Sequence, residues 1–119
     1  MSIVDRSEIQ KLHSHAMELA ERADGLRAKG SPDAAEVLLV QAYEQEALAA
    51  RKFSDAYGDE PTRSVLLRSA ASLAIECGLW REAEKLAALG LAGNPPAGLA
   101  DELRDLLEQV SLSGQLRAR

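Results

Sequence analysis

Two short segments of this chain are built alike. Gly30-Ser31-Pro32-Asp33-Ala34-Ala35 and Gly78-Leu79-Trp80-Arg81-Glu82-Ala83 stand 48 residues apart, glycine on glycine and alanine on alanine. In each, a glycine that can stop one helix is followed almost at once by the start of the next. Ser31 and Pro32 read as N-cap and first-turn proline. So short a connection makes the helices on either side antiparallel neighbours. The apolar positions keep the same spacing: Leu19/Leu67, Ala23/Ala71, Leu39/Ala87 and Ala42/Gly90. Two elbows with matched flanks commit most of the chain to helical hairpins.

Composition points the same way. Alanine and leucine supply 21 and 19 of the 119 residues, and both are strong helix formers. Only Tyr43, Phe53, Tyr57 and Trp80 are aromatic, and valine and isoleucine are scattered. A sheet needs such surfaces to pack, so no strand is expected. The length suits one domain over residues 1–119 with one modest core.

Five helices follow in order. Ser7, with Gln10 as its capping-box partner, opens the first. Ile9, Leu12, Ala16, Leu19, Ala23 and Leu26 then recur at steps of three and four, a single apolar stripe ended by Gly30. The second helix runs from Pro32 to about Ala56. Its apolar surface, widened by Val37, Val40, Tyr43, Ala47 and Leu48, is broad enough to touch two neighbours. Tyr57-Gly58 is its expected stop. Residues 7–56 thus form a long hairpin, and 61–93 a second pair broken by Gly93-Asn94-Pro95-Pro96. A fifth helix over 97–110 carries Leu99, Leu103, Leu106 and Val110 on one side and charge elsewhere, as an end cap would. Residues 111–119 have no stripe and read as a frayed tail.

The net charge is −5, with both signs interspersed. That suits a soluble protein and disfavours nucleic-acid binding, which needs a basic face to displace counterions. No apolar run approaches a membrane span, and no basic-then-apolar leader opens the chain, so a cytoplasmic protein is expected. Cys77 is the only cysteine, which suits a reducing compartment.

The second unit resembles a tetratricopeptide repeat, a helix–turn–helix of about 34 residues. Ala71, Gly78, Trp80, Ala83, Gly90 and Pro95 fall on that motif's small, turn, aromatic and proline positions. Leu67, Ala74 and Ala87 depart from it where larger aromatics are usual. The match covers residues 64–97 well and 16–47 loosely. It implies a right-handed array of antiparallel hairpins, with the first helix of each pair lining a concave face. The 48-residue spacing exceeds the usual repeat by about 14. Overlong arms in the first pair account for the excess, each on the order of 35 Å and packed at the overhang through Ile9, Leu12, Ala49 and Phe53.

No catalytic or metal constellation emerges. His13 and His15 point about 200° apart on a helix and are expected to be partly exposed bystanders. His15 and Glu18 lack the paired Glu-x-x-His motifs of di-iron bundles. Cys77 has no cationic neighbour in sequence and reads as a small buried hydrophobe. Glu44 and Glu46 diverge on their helix. No enzyme activity, cofactor or metal is therefore expected. The resemblance implies instead a non-catalytic module that binds a peptide or partner protein on its concave face. The candidate contacts are Asp24 and Arg27 from the first helix and Val65, Arg68, Ser72 and Glu76 from the third, with Met17, Ala20, Ala28 and Ile75 around them. Arg27 and Arg68 are the expected ligand-holding cations, since the lysine and asparagine of the known carboxylate clamp are missing. The alternative is a homo-oligomeric structural protein, a homodimer for example, that buries Leu48, Leu79, Trp80 or Leu112 against a second copy.

Overall fold

The computed structural model describes residues 6–56 and 59–117, with side chains described outside 54–56 and 115–117. The expected stop at Tyr57-Gly58 lies outside the described residues. Five α-helices and no strand make up the rest: α1 (Arg6–Ala28), α2 (Pro32–Ala56), α3 (Thr62–Glu76), α4 (Trp80–Ala92) and α5 (Ala97–Arg117).

The two elbows are the same turn. Gly30 and Gly78 have φ of 82° and 74°, a left-handed conformation that glycine adopts without a Cβ penalty. Ser31 N–H donates to Leu26 O at 2.9 Å and Gly30 N–H to Arg27 O at 3.1 Å. Leu79 N–H donates to Ala74 O at 2.8 Å and Gly78 N–H to Ile75 O at 3.0 Å, the same two bonds 48 residues on. This is the paired closure of a Schellman cap, which satisfies carbonyls that the ending helix would leave bare. The next helix begins at Pro32 in one case and Trp80 in the other, again 48 apart.

Packing is sequential: α1 on α2, α2 on α3, α3 on α4 and α4 on α5, with α5 also reaching back to α3. Small residues set the spacing inside each pair. Ala23, Ala35 and Ala42 are fully buried in the first pair, as are Ala71, Ala83 and Ala87 in the second. Between α4 and α5 the approach is closer still. A Cβ at Gly90 would stand 2.9 Å from Leu103 Cδ1, and Leu103 is itself fully buried.

The long first hairpin exists. α1 and α2 have 23 and 25 residues, so each spans about 35–38 Å. Ile9, Ala49 and Phe53 are buried at its open end and Leu12 packs beside them. Arg6 lies 5.5 Å over the Phe53 ring. Lys52 donates to Glu8 at 2.8 Å, fixing the antiparallel register there.

Three expectations change. Val37, Val40 and Leu48 do not widen the buried face of α2; they are 58 %, 36 % and 44 % exposed. Pro61 precedes α3 as its N-cap rather than lying inside it. The stretch after Val110 is not a frayed tail, because α5 continues to Arg117. Loss of the apolar stripe there does not end the helix.

Candidate functional site

A groove of about 480 Å³ opens between α1, α3 and α5. Met17 and Ala20 of α1 form one wall. Arg68, Ser69, Ser72, Leu73 and Glu76 of α3 form the base, at the three-and-four spacing of one helix face. Glu102, Asp105, Leu106 and Gln109 of α5 form the other wall, again one face. Leu73 and Leu106 are core residues whose edges surface here, so the groove pairs an apolar floor with charged rims.

Of the six residues singled out from sequence, Arg68, Ser72 and Glu76 line this groove. Asp24 and Arg27 stand at its end. Their side chains approach to 4.0 Å and both charges act on Glu76. Val65 does not belong to it. It lines a separate cavity of about 210 Å³ with Ile9, Gln10, His13 and Leu66, because Val65 faces the open end of the first hairpin. Ala28 is exposed beyond the groove.

The cations expected to hold a ligand are engaged. Arg68 Nη1 donates to both carboxylate oxygens of Glu102 at 3.1 Å, tying α3 to α5. Arg27 is balanced by Asp24. Glu76 and Asp105 form no hydrogen bond or ion pair among the described residues. Burial, and then the Asp24 carboxylate, push the Glu76 carboxyl above its ordinary value, with Arg27 opposing.

Sequence reasoning missed the carboxylate beneath this surface. Glu46 of α2 is fully buried where α1 and α3 meet α2. His13 Nδ1 stands 2.9 Å from its Oε1 and 2.8 Å from its Oε2, and Ser69 lies near enough to favour its charged form. Burial pushes the Glu46 carboxyl up; His13, Ser69 and the charge of Arg68 pull against that. His13 is thus not a bystander but the partner of a buried acid. Its spacing of 33 residues from Glu46 carries no sequence signal; only the antiparallel register joins them. The α5 wall was missed for another reason. Its polar residues read as a solvent-facing back, yet Glu102, Asp105 and Gln109 lie beside the buried stripe.

Cys77 is half-buried against the core rather than sealed within it. Burial, then Glu76 and Glu36, raise its thiol pKa, so thiolate formation is disfavoured. Among the described residues no group of three or more His, Cys, Asp or Glu side chains is placed to hold a metal, and no helix is long and apolar enough to cross a membrane. Compared with protein-family models, curated proteins and solved structures, the chain matched none.

Proposed function

We propose that this protein is a non-catalytic protein-interaction module of tetratricopeptide-like build, and that a segment of a partner protein docks in the groove between α1, α3 and α5. The observation that carries this reading is the arrangement of one face from each of these helices around a single apolar-floored channel. Two of them are the first helices of the matched pairs, the helices that line the concave face in the family the second unit resembles; the terminal helix closes the far side. Concave, largely apolar channels with a few polar groups are where ligands bind most often.

Filling the channel tests it. Ala20→Trp places an indole in the channel from the α1 wall, away in sequence from both elbows. A partner captured from the native cell by the wild type should be lost with Ala20→Trp and kept with Glu84→Ala on the exposed side of α4. Unchanged circular dichroism must accompany the loss. Equal capture by all three proteins contradicts the reading.

The exposed Val37 and Val40 favour a second reading, self-association through the outer face of α2. Light scattering at micromolar concentration decides it, since a strict monomer removes this reading.

A further inference from the structure

Resting on the groove as the docking face, we infer that its occupant is a cationic segment of a partner protein, bearing lysine or arginine side chains that pair with Glu76 and Asp105. The charges of the groove are unequally spent. The Arg68 guanidinium is held by Glu102 through both oxygens at 3.1 Å, so this cation is already neutralised in the free protein. An acidic ligand would bring its carboxylate beside Glu102 and compete with it for Arg68. Glu76 and Asp105 face the same channel from α3 and α5 and form no hydrogen bond or close ion pair among the described residues, Arg27 acting on Glu76 only at longer range.

The end of the groove adds to this. Asp24 and Glu76 repel one another across the α1–α3 boundary, and Arg27 is shared between them. A guanidinium or ammonium at this point replaces repulsion with two attractions. The apolar lining supplied by Met17, Ala20, Leu73 and Leu106 then requires that the segment also carry apolar side chains. Amphipathic and basic is therefore the chemistry that fits, and charge complementarity of this kind governs partner choice and encounter rate more than raw affinity.

Two labelled amphipathic peptides, identical except for lysine or glutamate on the polar face, test the inference by fluorescence anisotropy. The lysine peptide should bind and the glutamate peptide should not. Glu76→Gln and Asp105→Asn should each weaken the lysine peptide by about twofold to fivefold, the scale of an exposed ion pair. Together they should also flatten its salt dependence. Glu84→Gln and Glu108→Gln, exposed on α4 and α5 outside the groove, should change nothing. Equal weakening by all four substitutions means attraction to the general acidity of the chain, and it overturns the inference. Binding of the glutamate peptide that Ala20→Trp abolishes leaves the groove as a docking face but overturns the cationic partner. Binding of neither peptide also overturns the cationic partner, and the capture experiment with Ala20→Trp then judges the groove on its own.

Discussion

At the scale of single residues, glycine carries three different meanings in this chain. Gly30 and Gly78 are required by positive φ at the elbows. Gly90 is required by contact, since a Cβ there meets the buried Leu103. Gly25 is required by neither: it lies inside α1, exposed, with nothing within 4 Å of a Cβ. The same substitution should therefore have opposite signs at two helical sites. Gly25→Ala should stabilise the fold by about 0.5–1 kcal/mol, the difference in helix propensity. Gly90→Ala should destabilise it by about 1 kcal/mol or more, because overpacking against Leu103 outweighs that same gain. Thermal melts read both, and a gain at Gly90 would show that α4 and α5 can part without loss. The elbow glycines were legible in sequence because a helix stop is a local event. The role of Gly90 was legible only in part: its match to Ala42 marked a small position, but the neighbour that demands smallness lies on a helix beyond the next turn.

At the scale of helices, two buried charged residues hold elements together, and neither was legible. Arg63 of α3 donates to Leu89 O at 2.8 Å and to Gly90 O at 3.4 Å, satisfying carbonyls at the C-terminal end of α4. Glu60 accepts from Ser64 N–H at 3.0 Å and so caps the start of α3. Glu46 joins α2 to His13 of α1 and Ser69 of α3. In sequence each of the two, Arg63 and Glu46, looks like part of a solvated helix face. Its burial depends on where a third helix packs, and periodicity within one helix cannot report that. Glu46 has a measurable signature. An unfolded glutamate titrates near 4.5, and burial raises the folded value above this. Below pH 4.5 both states hold the proton and the contribution of this group is fully present. As pH rises through the folded value the contribution is lost, because the unfolded state gives up its proton more readily. Glu46→Gln cannot titrate. The stability of the wild type relative to Glu46→Gln should therefore fall from pH 4 towards neutrality. Other carboxylates are common to both proteins, whereas His13 and Arg68 enter the difference through their attraction for the Glu46 carboxylate, against the effect of burial. Paired melts across that range check this, and a difference that stays flat or grows would mean that His13 and Arg68 outweigh the burial.

At the scale of the whole molecule, the described residues form five helices in sequence, each packed on the next, with extents of 44 × 32 × 25 Å. This order was largely visible beforehand, because short elbows leave little freedom in where the next helix goes. What surrounds the groove was half visible. The α3 face emerged from its register, whereas the α5 wall and the pairing of Arg68 with Glu102 required the fold. The pairing alters the electrostatics of the site, from a surface with free cations to one where Glu76 and Asp105 are without a hydrogen bond or close ion pair among the described residues. The central claim is that this groove is where a partner sits, and a photo-crosslinking scan in the native cell tests it most directly. A photoreactive residue is placed in turn at Met17, Ser72 and Gln109, one on each groove helix, and at His15, Glu84 and Glu108, all exposed outside it. We expect one adduct of the same mass from all three groove positions and none from the other three. Adducts from the outer positions with the groove positions silent would contradict the claim.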